Sequence, residues 1–231
     1  MTAGISYSFQ DGLAMITIDD GKVNVMTTAL LGALCDAVAQ AREDQAMILL
    51  RSGRDKVFSA GFDVKPLASR DEQASRALLQ SGVDAILALL EHPFPVIGLC
   101  QGHAYPMGAF LLLASDVRIG VAGEHKIGMN EVAIGIAVPD FALRLAGYRV
   151  ASHWLHRVAA LGQMLSPEQA LAAGFLDELV PPEQADAVVR QITTQLAGLD
   201  MAAHASTKRR LRAGVIQEIR EAARDRLLPS N

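Results

Sequence analysis

The residues whose type and spacing could do chemistry fall in two stretches. In Lys126–Pro139, Glu131 follows Asn130 and precedes Val132-Ala133-Ile134. A carboxyl buried beside apolar residues is raised toward neutrality, where it can both accept and return a proton. The competing assignment is a solvated surface glutamate, the commoner state of that residue type. In Tyr105-Pro106-Met107-Gly108, proline suits a first helical turn. The free N–H groups and dipole at such a start favour developing negative charge. His103 and His125 could serve as acid–base groups, but no metal-ligand spacing connects them and structural roles are favoured. Asp140, directly after Pro139, is expected at the start of a helix.

The elements that must position these residues are legible from periodicity. Ile5–Phe9 and Leu13–Ile18 flank Gln10-Asp11-Gly12, a hairpin signal. Thr27–Arg42 carries apolar residues at helical spacing, and Ala46–Leu50 suits a buried strand. Asp71–Leu90 predicts a long amphipathic helix that stops before His92-Pro93. A buried strand at Pro95–Cys100, an apolar helix around Gly108–Ala114 and a strand at Val117–Val121 follow. From Pro139 onward the pattern is helical apart from a short apolar piece, Phe175–Val180, ending at Pro181-Pro182. Strands with intervening helices first and helices alone afterwards predict an α/β core carrying a helical C-terminal portion.

At 231 residues the chain suits one domain with a helical appendage. With 51% apolar and 20% charged residues it has the balance of a globular protein with a generous core. A net charge of −4 leaves no electrostatic footprint for nucleic acid, since Lys208-Arg209-Arg210 with Arg212 is a short local cluster. Two cysteines in apolar settings, Cys35 and Cys100, point to a reducing compartment. No apolar run is long enough to cross a membrane, and a cytoplasmic protein is expected.

Two segments resemble the signature of the crotonase (enoyl-CoA hydratase/isomerase) superfamily. Phe58-Ser59-Ala60-Gly61-Phe62-Asp63-Val64-Lys65 is similar to its F-x-A-G-x-D-[LIV]-K loop. Pro95–Ala104, running through Gly108 to Ala114-Ser115-Asp116-Val117-Arg118-Ile119, is similar to its P-V-I-A…G…A-C-D-x-R-I-A block. Weaker likenesses at Gly21–Val25 and Ser166–Pro181 extend the match over most of the chain. The resemblance implies the crotonase β/α spiral: ββα repeats coiled into two nearly perpendicular sheets over residues 1–180. A C-terminal helical segment, 181–231, would then serve trimerisation, shorter here than in many relatives. The stretch from Lys126 to Pro139 resembles that of Δ3,Δ2-enoyl-CoA isomerases more than that of hydratases.

By that resemblance the substrate is an acyl-CoA thioester, with no cofactor beyond the CoA it carries and no metal. Two backbone N–H groups, of Phe62 and Met107, would hold the carbonyl oxygen of an enolate, and Glu131 would carry the proton. Two-carboxylate hydratases have their first glutamate where this chain has Phe110, which can neither activate water nor deliver a proton. Double-bond migration needs one carboxylate only, so isomerisation is favoured. Another crotonase reaction, such as weak hydration or thioester hydrolysis, and an inert acyl-CoA binder stay open, because one fold hosts many chemistries. Lys22, Val23, Ala60, Val64, Lys65 and Lys208 are the implied CoA contacts. The implied assembly is a homotrimer or a dimer of trimers.

Overall fold

The structure is a computed structural model and describes residues 4–69, 71–225 and 227. Strands β1 (Ile5–Gln10) and β2 (Leu13–Ile18) form the expected hairpin, paired antiparallel with Gln10 opposite Leu13. Asp11 and Gly12 both take positive φ, 50° and 75°, the geometry that lets a two-residue turn follow the strands' own twist. β3 (Val25–Met26) leads into helix α1 (Thr28–Glu43), whose first turn is capped by the Thr27 hydroxyl accepting from the Leu30 N–H. Then come β4 (Met47–Ser52), β5 (Lys56–Ser59), β6 (Gly61–Phe62), the short α2 (Val64–Ala68) and the long α3 (Glu72–Glu91). β7 (Val96–Cys100), β8 (Gly102–Ala104), α4 (Pro106–Ala114) and β9 (Val117–Val121) complete the strand-rich part.

Six strands make one sheet in the order β1-β2-β4-β7-β9-β10, antiparallel at the first pair and parallel thereafter, with β10 spanning Glu178–Val180. Its central strands are apolar on both faces because both faces are covered. Ile48, Leu50, Val96 and Cys100 join the main core with α1, α3 and α4. Leu49, Ile97, Leu99 and Ile119 face the other way, onto Val189 and Ile192 of α8 (Ala185–Ala197). The second layer consists of two parallel ribbons, β3–β6 and β5–β8, the latter extended by bridges from Ala104 to Ile127 and from Ile127 to Leu165.

After β9 the chain is helical, as expected: α5 (Asp140–Arg149), α6 (Ser152–Ala159), α7 (Pro167–Ala173), α8 and α9 (Met201–Asp225). Of the apolar piece Phe175–Val180 only the last three residues pair as a strand. α9 lies back along α3 and α5 and buries Lys208, Arg212, Val215, Ile219 and Ala223, one stripe at helical spacing. Among the described residues no helix is long and apolar enough to cross a membrane, and Cys35 and Cys100 are free thiols.

Candidate active site

The site grows from the ribbon β3–β6. The Asp20 carboxylate gathers the N–H groups of Lys22, Asn24 and Val25 at 2.7–2.9 Å and so folds the turn before β3. Asn24, fully buried with φ of 56°, donates through its amide to the carbonyls of Ile18 and Phe58 and to the Ser52 hydroxyl. That side chain ties the end of the main sheet to the strand leading into β6. Gly61 has φ of 91°, a conformation few L-residues adopt. A Cβ there would lie 3.4 Å from Pro106 Cδ and 3.5 Å from Tyr105 Cβ, so β6 runs directly against the start of α4.

At that start, Tyr105 provides no side-chain cap, and the first regular helical bond runs from the Ala109 N–H to the Tyr105 carbonyl. Proline has no N–H to give, which leaves the donors of Met107 and Gly108 without an acceptor inside the helix. The positive end of the α4 dipole therefore points toward β6. The side chains of Phe62 and Met107 both converge on Gly82 of α3, where an added Cβ would lie 2.5 Å from the Phe62 ring and 3.4 Å from Met107 Sδ.

Glu131 arrives from the other side. Ile127 is bridged to Ala104 and Leu165, and the Gly128 N–H donates to the Ala104 carbonyl, which anchors this segment beside β8. The chain then turns through a 3-10 turn, Val132–Ile134, whose Ile134 N–H and the following Ile136 N–H both donate to the Glu131 carbonyl. The Glu131 side chain is 7% exposed, and its Oε2 has no hydrogen-bond partner. Burial pushes this carboxyl up to about 7. Ionising a carboxyl buried in this way opposes folding, and so perturbed a group inside a cleft is a candidate for proton transfer.

A cavity of about 470 Å³ joins these parts, lined by Ala60, Phe62, Pro106 and Glu131 and walled by Leu67, Leu79, Ile134 and Ile136. An apolar cleft holding one neutralised carboxyl, beside main-chain donors, can exclude water, stabilise an oxyanion and move a proton. Of the residues expected at the site, Glu131 and Phe62 line this cavity, while Met107 follows the lining residue Pro106 and is wholly buried. Val64 also lines the cavity. The Ala60 N–H donates to the Val23 carbonyl, so the exposed Val23 and Lys22 sit beside it. Lys65 is exposed on the first turn of α2.

Lys208 requires a correction. It is not brought to the cavity: its ammonium is 6% exposed, held by the Asp116 carboxylate and the Phe94 carbonyl inside the seam between α9 and the core. A cation so committed is not free for a phosphate. Phe110 lies in the core, edge-on to Phe141 with centroids 6.4 Å apart. His103 accepts from the Lys126 N–H and stacks on Tyr105, and His125 lies edge-on to it; neither lines the cavity. Asp140 begins α5 and lines a separate groove with Arg144 and residues of α9.

The periodicity reading overlooks the walls from α2 and α3: Leu67, Glu72, Ser75 and Leu79. A signal was present at Ser75, a polar residue on the apolar stripe four positions before Leu79. Its hydroxyl donates to the Pro66 carbonyl and ties α3 to α2.

The chain matches known proteins over most of its length. The family model for enoyl-CoA hydratase/isomerase matches residues 8–226. The chain is similar to an enoyl-CoA hydratase/isomerase family protein from Pseudomonas syringae, at 36% identity and TM-score 0.94 over 97% of this chain and 96% of that one. It is also similar to an apo enoyl-CoA isomerase of Mycobacterium tuberculosis, at 37% identity and TM-score 0.90 over 97% of each chain. The probable enoyl-CoA hydratase EchA17 of the same organism is 28% identical over 186 residues, 78% of this chain and 69% of that protein. Relatives thus carry both hydratase and isomerase names, and what they share fixes the conclusion: this chain belongs to the enoyl-CoA hydratase/isomerase family and has the crotonase fold.

Proposed function

We propose that the protein moves the double bond of an acyl-CoA thioester from Δ3 to Δ2, with Glu131 as the only proton carrier. The observation that carries this reading is the buried Glu131 carboxyl, its Oε2 without a hydrogen-bond partner, in a cavity it shares with Phe62, while Phe110 fills the core instead of presenting a second carboxylate. The other carboxylate on the cavity wall, Glu72, is solvent-exposed.

In this mechanism the Phe62 and Met107 N–H groups hold the thioester oxygen. The Glu131 carboxylate takes a proton from C2, and the electrons pass into a dienolate whose oxyanion the two donors stabilise. Glu131 returns the same proton to C4, leaving the double bond between C2 and C3. Removing a donor of this kind typically costs 10²–10³-fold in turnover, roughly 2.7–4 kcal/mol. The exposed Lys22 and Lys65, with the backbone around Val23, Ala60 and Val64, meet the CoA portion. No cofactor beyond that CoA is required, and the working compartment is the cytoplasm.

The assembly we propose is a homotrimer or a dimer of trimers. It would cover exposed apolar side chains such as Leu161 and Leu211, and light scattering on the purified chain reads its mass directly.

The deciding assay follows 3-hexenoyl-CoA and 2-hexenoyl-CoA with wild type and Glu131→Gln. Isomerisation should fall by about 10²–10⁴-fold in the variant while acyl-CoA binding persists. Wild-type hydration of 2-hexenoyl-CoA faster than isomerisation, or binding without turnover, would refute the proposal.

A further inference from the structure

The two main-chain donors belong to segments far apart in sequence, Gly61–Phe62 on β6 and Pro106–Met107 on α4, and one residue touches both. Ser59 is fully buried. Its hydroxyl donates to the Asn24 carbonyl at 2.8 Å and accepts from the Gly61 N–H at 3.0 Å, the peptide just before Phe62. Its own carbonyl accepts from the Tyr105 N–H at 2.9 Å, the peptide just before Pro106. Gly108, which follows Met107, packs so closely on it that an added Cβ would lie 2.7 Å from Ser59 Cβ. Asn24, whose carbonyl orients the hydroxyl, is itself fixed by its amide bonds to the Ile18 and Phe58 carbonyls and the Ser52 hydroxyl.

We propose that Ser59 is a positioning residue that sets the separation and direction of the Phe62 and Met107 N–H groups, by clamping the strand of one to the helix start of the other. It touches no substrate and is absent from the cavity wall. Its work is done by the Oγ that receives the Gly61 N–H, and by the carbonyl and Cβ that hold α4 in register. An oxyanion is stabilised only where its donors are already aimed, and a displacement of about 1 Å can cost 10²-fold in rate. Ser59→Ala keeps the carbonyl and the packing and removes the acceptor of the Gly61 N–H, so the change falls on the direction of the Phe62 donor.

This inference rests on the reading that these two N–H groups bind the thioester oxygen, and the experiment separates the two. Butanoyl-CoA labelled with ¹³C at the thioester carbon is bound to wild type and to Ser59→Ala, and the carbonyl stretch is read by isotope-edited infrared spectroscopy. Isomerase kcat and Tm are measured on the same samples. The expected result is a lowered carbonyl frequency in wild type that returns toward the free value in the variant, with kcat down about 10- to 100-fold. A role confined to packing would lower Tm and leave both the frequency and the kcat of the folded chain unchanged, and that result overturns the proposal. Should wild type itself show no carbonyl shift, the oxyanion reading fails and this inference falls with it. If the alanine variant does not fold, Ser59→Cys keeps the side-chain position with a weak acceptor, and an unaltered carbonyl shift in it overturns the proposal equally.

Discussion

The Glu131 carboxyl is in a state that an isolated glutamate does not reach at neutral pH: buried, with Oε2 lacking a hydrogen-bond partner, and raised from 4.5 to about 7. Between those two values the folded chain holds a proton that the unfolded chain has released. The stabilisation from that proton is full below about pH 4.5 and is lost as pH rises through about 7. At about 1.4 kcal/mol per tenfold, the whole effect is roughly 3 kcal/mol. Glu131→Gln has no charge to bury, so its stability relative to wild type should climb by about that amount between pH 4.5 and pH 8. Urea unfolding across that range measures it, and parallel curves would contradict the burial argument. In the proposed mechanism catalysis runs the other way, because there the ionised form takes the proton from C2. Wild-type kcat/KM should rise about tenfold per pH unit below 7 and level off above it, and a profile flat from pH 5.5 to 8 would rule Glu131 out as the base.

Helix α3 carries a glycine at its middle where alanine would favour the helix by about 1 kcal/mol. The reason lies opposite: Gly82 leaves the space into which the Phe62 ring and the Met107 side chain pack, and both residues supply the proposed donors. With 2.5 Å between an added Cβ and the ring, Gly82→Ala must displace Phe62. Overpacking of this kind costs about 1–3 kcal/mol, which outweighs the gain in propensity. The variant should lose stability slightly and turnover markedly, seen in Tm and in steady-state kinetics. A more stable variant of full activity would mean that the ring moves without carrying its backbone along.

At the scale of the whole molecule, the last helix is joined to the core by charge as well as by its apolar stripe. Asp116, at the head of β9, receives Lys208 and, at 2.7 Å, Arg212. Arg212 also donates to the carbonyls of Leu90 and Ala114, at the ends of α3 and α4. Removing the carboxylate would leave two buried cations with only carbonyl partners. Asp116→Ala is therefore expected to cost about 3–5 kcal/mol, read by denaturant unfolding. A loss below about 1 kcal/mol would show that Val215, Ile219 and Ala223 hold α9 unaided.

Much of this molecule is legible in its residues alone. The hairpin at Asp11-Gly12, the long helix α3 and the buried strands β4, β7 and β9 announce themselves because each is long enough to show a period or carries its own turn chemistry. The resemblance at Phe58–Lys65 and Pro95–Ile119 named the family, and Glu131 with it. The ribbons β3–β6 and β5–β8 stayed hidden, since strands of two to four residues have no periodicity and exist only through pairing with distant segments. Lys208 looked like a cation for a phosphate, and tertiary packing gave it to Asp116 instead. Sequence determined which residues were available for chemistry. Folding decided which of them share a cavity, because the burial that raises Glu131 and the approach of Gly61 to Pro106 come from contacts between segments about 45 residues or more apart along the chain.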